Sequence, residues 1–343
     1  IGQVSTSFRD CDVEWSLPNR RWRDDVISQV SKTGGSRWHC STEAACARPN
    51  FSLCVWTELG KAGAMQQAID CWINVDMGDF EPPEYLVRVK EDYLKGGADF
   101  FRSFEPEDLL PEMDRLGVAR AIIVVNSSEP SPRGLRCVEK NPERFALGLG
   151  FDPRDLMKGL WEVEALARNH PTACVKVVPF GFDIAPSDAL YYPLYAKCIE
   201  LDLPLTINTG LPGPPMPGEC QDPIHLDRVC QRFPDLKLCM AHGADPWWGV
   251  ATRLMIKYAN LHLMTSAYAP KHLPPELIHF MNTRGKNKIM FASDHPALDL
   301  ERCLTEARAL DLRDGVLEKF LYGNADRFFF GDRSPRYGEL APL

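Results

Sequence analysis

Two apolar, strand-like runs each hand a reactive side chain to their carboxyl end. FPDLKLCMAHGADPW (Phe233–Trp247) delivers His242, and KIMFASDHP (Lys288–Pro296) delivers Asp294. An imidazole and a carboxylate arriving from two separate strands are the beginnings of a metal site or of a general acid and base. The polar residues at the ends of the other strand-like runs are Trp72 and Asn74, Asn126, Asp152, Lys176, Asn208 and Ser266. Asn126, Asp152 and Ser266 are read first as turn formers and helix caps, since Asn, Asp and Ser favour those positions. Lys176 is equally a substrate-binding cation or a strand-end lysine that snorkels to water. His242 precedes Gly243, which lets backbone or ligand approach closely.

These residues share one mouth only if the elements behind them form a closed sheet. Eight short apolar runs fall at residues 68–74, 120–125, 145–151, 173–178, 204–209, 236–241, 261–265 and 288–293. Nearly continuous apolar strands are buried on both faces, as in a parallel sheet covered by helices. Helical patterns separate them, as in residues 105–116, 154–169, 188–201, 223–232 and 248–259, with 300–310 and 314–321 after the last strand. Eight βα units predict an α/β fold of the (β/α)8 TIM-barrel type, which places strand-end residues around its catalytic mouth. An open doubly wound sheet is the alternative, weakened by the lack of GxGxxG after the first strand. Two long insertions, residues 75–103 and the proline-rich 211–220, read as binding loops that wall an apolar pocket. On the first strand, alternation puts Asp70, Trp72 and Asn74 on one face and Cys71 on the other.

The chain has 343 residues, 45% of them hydrophobic, and a formal net charge of −8 with no basic cluster. That balance speaks for a small-molecule partner and against nucleic acid or an anionic membrane. No apolar run reaches the roughly 18 residues of a membrane span. The 12 cysteines form no CxxC pair and read as reduced thiols of a cytoplasmic protein. Residues 1–64 hold four of the eight tryptophans yet show no strand or helix period, and are expected to be an irregular extension preceding a barrel over 65–343. A small amino-terminal subdomain is the alternative for that stretch.

From Ile69 to Phe330 the chain resembles the amidohydrolase superfamily, in the branch of aminocarboxymuconate-semialdehyde decarboxylase and resorcylate-type decarboxylases. The motifs that carry this are IDCWIN (69–74), CVKVVP (174–179), LPLTINTG (203–210), FPDLKLCMAHG (233–243), FASDHP (291–296) and YGNADRFF (322–329). The resemblance implies a divalent metal held by two histidines of the first strand, one of the fifth and an aspartate of the eighth, beside a histidine of the sixth. Here those positions are Trp72, Asn74 and Asn208, and only Asp294 and His242 match. The expectation is therefore no cofactor, with zinc or manganese on Asp294 and His242 as the alternative. His242 and Asp294 are then the catalytic pair, and Trp72, Asn74, Lys176 and Asn208 bind substrate. The expected activity is hydrolysis or decarboxylation of a small carboxylated or carbonyl compound without the family metal. The alternative is a non-catalytic barrel partnering an active homologue, and the resemblance implies a homo-oligomer or a heteromer with such a barrel.

Overall fold

Hydrophobic runs bounded by turn residues become eight parallel strands in the computed structural model, which describes residues 66–331. The stretch expected to be an irregular extension, 1–64, lies outside the described residues. The strands are β1 (Ala68–Asn74), β2 (Val118–Asn126), β3 (Phe145–Gly150), β4 (Thr172–Val177), β5 (Leu205–Asn208), β6 (Leu238–Ala241), β7 (Leu261–Met264) and β8 (Ile289–Met290). They follow one another in sequence order around a single sheet, every adjacent pair parallel, with helices between. This is the expected (β/α)8 barrel.

Closure depends on the segment after β8. Its backbone reaches β1 through Cys71 N–H to Phe291 O (3.3 Å), Asp294 N–H to Trp72 O (3.1 Å) and Asn74 N–H to His295 O (2.8 Å). Asp70 adds a side-chain clasp. Its carboxylate accepts the backbone N–H of Trp72 (3.1 Å) and of Ser293 (3.0 Å), together with the Ser293 hydroxyl. These bonds hold Asp294 at the mouth even though β8 contributes only two residues to the ladder.

The strands separate two apolar regions. Their outward faces pack on the helices, for example Ile123, Leu147 and Ile207 with Leu109, Val163 and Leu226. Their inward faces form a smaller cluster that includes Cys71, Cys174, Cys239, Met264 and Met290, with Phe328 and Phe329 of the last helix (Asn324–Phe329) packed into it. The alternation expected for β1 fails here. Asp70 pairs with Ala121 while Ile73 pairs with Ile123, so three steps on β1 oppose two on β2. That bulge turns both Cys71 and Trp72 toward the inner cluster.

The first insertion is more regular than a loop. It contains helical turns at Glu84–Arg88, Val89–Leu94 and Ala98–Phe101; buried Phe100 and exposed Tyr93 border the mouth, while Phe80 and Tyr85 are exposed away from it. Tyr93 lies against Gly213 of the second insertion, where an added Cβ would come within 3.1 Å of the ring. All eight cysteines among the described residues are free and buried.

Candidate functional site

Strand ends do converge at the carboxyl mouth. Trp72, Asn74, Lys176, Asn208, His242 and Asp294 all border one cavity of about 270 Å³, roofed by residues of both insertions. More of its wall is apolar than polar, as befits a site for a small ligand with a few oriented contacts. Asn126 and Asp152 lie outside it. Asn126 Oδ1 accepts from Ser128 N–H and Oγ, and Asp152 accepts from Arg154, so both do the turn-forming work expected of them.

His242 and Asp294 are both held in the left-handed region, at φ 64° and 68°. A non-glycine residue pays about 1 kcal/mol or more for that geometry, and such residues persist only where surrounding bonds fix them. For Asp294 the fixing bonds are those to β1. For His242 they come from Ser266, whose Oγ accepts the His242 backbone N–H (3.0 Å) and lies 2.8 Å from Nδ1. A hydroxyl that already accepts the backbone N–H has its own proton free for Nδ1, which favours the Nε2–H tautomer. Ser266 was expected to be a cap; it is the support of the imidazole, a partnership across two strands that spacing along the chain does not reveal. Gly243 also has a different role from the one expected. It adopts φ 72°, and a Cβ there would meet the Trp248 ring at 2.5 Å, so the glycine admits Trp248 and not a ligand.

Electrostatics distinguish the two reactive residues. Burial, helped by the charge of Lys176, pushes the His242 imidazole down to about 3, so the ring is neutral at physiological pH and serves as a hydrogen-bond donor. Burial raises Asp294 above the ordinary carboxylate range, against the Asn74 Nδ2–H that donates to its Oδ1 (2.9 Å) and the charge of Lys176. Burial likewise lowers Lys176, against the attraction of Asp294. The Lys176 Nζ sits 3.7 Å from the centroid of the Trp72 ring, and Trp72 in turn packs against His242 at 4.5 Å between centroids. Among the described residues Asn208 Oδ1, which is buried, has no hydrogen-bond partner, which leaves it a free acceptor at the cavity wall.

The amidohydrolase family model matches residues 69–331. Among curated proteins no sequence matches the chain. Among solved structures, an uncharacterised TIM-barrel protein from Bordetella bronchiseptica is similar over 77% of this chain and 99% of its own, with TM-score 0.66 and 21% identity. The 5-carboxyvanillate decarboxylase of Sphingomonas paucimobilis covers 77% of this chain and 99% of its own, with TM-score 0.58 and 19% identity. The 5-carboxyvanillate decarboxylase of Novosphingobium aromaticivorans, solved with manganese and 4-hydroxy-3-methoxy-5-nitrobenzoic acid, covers 79% of this chain and 97% of its own, with TM-score 0.56 and 16% identity.

The manganese of that last structure overturns the expectation of no cofactor, because a divalent metal accompanies this fold in a matched neighbour. The residues here, however, fit such a metal poorly. An indole offers no lone pair in place of a ligand, the neutral amides of Asn74 and Asn208 are poor substitutes for imidazole, and Lys176 brings a cation to the same cavity. Among the described residues no group of three or more His, Cys, Asp or Glu is placed to hold a metal ion.

Proposed function

The chain belongs to the amidohydrolase family, and from that premise we propose that it cleaves a small carboxylated compound, aromatic or carbonyl-bearing, by decarboxylation, with hydrolysis as the second reaction of the same site. The observation that carries this reading is one apolar cavity in which a lysine, a proton-retaining carboxyl group and a neutral imidazole face the same space. The decarboxylase neighbours of the same fold support it.

In this reading Lys176 draws the substrate carboxylate, and Trp72 and Phe100 flank its apolar body. His242 donates from Nε2 to a substrate oxygen, and Asn208 Oδ1 accepts from a substrate hydroxyl. Asp294 gives its proton to the carbon that loses CO2. The bond from that carbon to the carboxylate breaks, its electron pair is taken up by the proton, and the Asp294 carboxylate regains a proton from water. For hydrolysis the ionised Asp294 takes a proton from water instead.

A panel of hydroxybenzoates and oxo acids, followed by CO2 release with added manganese and again with chelator, tests the reading and any metal requirement together. Turnover of one carboxylate, lowered at least about a hundredfold by Asp294→Asn, is the expected result. If no member of the panel binds or reacts under either condition, the reading falls.

A further inference from the structure

We propose that Lys176 is a covalent catalyst that condenses with a ketone or aldehyde carbon, which makes the substrate class an oxo acid; the inference rests on the carboxylate reading of the cavity given above. Its basis is the isolation of one amine. Structural lysines in this protein are held by partners: Lys197 by Glu164 (3.0 Å) and Glu200 (2.9 Å), Lys257 by Asp227 (2.6 Å), and Lys288 by the carbonyls of Tyr258 (3.1 Å), Ala259 (2.5 Å) and Leu261 (3.0 Å). Among the described residues the Lys176 Nζ has neither a hydrogen bond nor an ion pair; it lies over the face of Trp72, with Asp294 acting on it only through its charge. It borders the main cavity and also a neighbouring one lined by Asn126, Asp152 and Phe182, so space is open on two sides of it.

An amine kept in apolar surroundings releases its proton more readily than one in water, and burial acts on Lys176 in that direction. Neutral Nζ then has a lone pair for a carbonyl carbon, the requirement for imine formation. Attack gives a carbinolamine. Asp294 protonates its hydroxyl, water leaves, and a protonated imine remains, carrying at nitrogen the charge the ammonium had. With a β-oxo acid, the electron pair of the breaking bond to CO2 flows into that iminium and gives an enamine. Water gives a proton to the enamine carbon and its hydroxide adds to the iminium, collapse releases the ketone and free Lys176, and Asp294 regains from solvent the proton it gave up. The sum is one β-oxo carboxylate and one proton converted into one ketone and CO2, with no oxidant or reductant consumed.

The test is reductive trapping on the full chain with 4-formylbenzoate and cyanoborohydride at neutral pH, read by peptide mass spectrometry, beside calorimetric titration with benzoate. One saturable adduct per chain on the Lys176 peptide, suppressed by excess benzoate and missing in a folded Lys176→Arg variant, is expected. If benzoate binds while adducts spread over exposed lysines and spare Lys176, covalent catalysis is wrong and the carboxylate reading stands. If benzoate does not bind and Lys176 is unmodified, both are wrong.

Discussion

Ser266 decides what His242 is able to do. An imidazole with neither nitrogen engaged can rotate and exchange tautomers, whereas the Ser266 hydroxyl fixes both the ring and the strained backbone beneath it. Ser266→Ala removes that support and leaves the buried His242 N–H without its acceptor. We expect turnover to fall about tenfold with substrate affinity little changed, and stability to fall by about 1–2 kcal/mol. Full turnover in the alanine variant would mean that the hydroxyl plays no part in orienting the ring. At this scale the six candidate positions were legible because every one ends an apolar run, and they do border one cavity. Ser266 was not, since a serine after a strand looks the same whether it caps a turn or holds an imidazole 24 residues away. The protonation states were not legible either. The sequence suggests an imidazole acid or base, but burial beside a cation makes the ring neutral and leaves proton retention to Asp294.

The elements meet hardest where β1 receives the chain leaving β8. Asp70 accepts three hydrogen bonds there, and burial still outweighs them, raising its carboxyl to about 6. Asp70→Ala strands the Ser293 and Trp72 N–H groups in a buried place, so a loss of about 3 kcal/mol is expected in urea unfolding. Asp294 hangs from the same segment, and its activity should fall along with the stability. An alanine variant as stable as the parent would show that the backbone bonds alone close the barrel. Apolar runs announced all eight strands, because strands buried on both faces need little else. They overstated β8, whose last residues meet β1 through scattered bonds and not a ladder. The bulge at Asp70–Ile73 escaped, since alternation assumes one residue opposite one. The helical turns after residue 83 escaped too, because Pro82 and Pro83 and a mixed polar face hide the 3.6-residue period.

At the scale of the barrel, buried titratable groups make stability depend on pH. Among the described residues three histidines are pushed down by burial: His242 and His262 to about 3 and His295 to about 4. A histidine whose folded pKa is depressed contributes stability above its unfolded value near 6.5 and loses it as pH falls, because only the unfolded chain takes up the proton. Asp70 has the opposite sign. Its raised pKa gives stability that is complete below the unfolded value near 4 and lost as pH rises through about 6, and Asp294, raised to about 7, acts in the same direction, so on acidification the two carboxyls offset part of what the three histidines lose. The balance favours acid lability. His262 offers the cleanest reading, since it lies on β7 against Phe328, away from the mouth, with Nδ1 buried and without a partner among the described residues. His262→Leu keeps the apolar contact and abolishes the proton difference. The parent should therefore lose about 2 kcal/mol more than the variant between pH 7 and pH 5 in urea unfolding, with turnover at pH 7 equal in the two. Parallel stability curves would show that His262 takes up its proton as readily folded as unfolded, and that the acid response arises at the mouth, where His242 and Asp294 are.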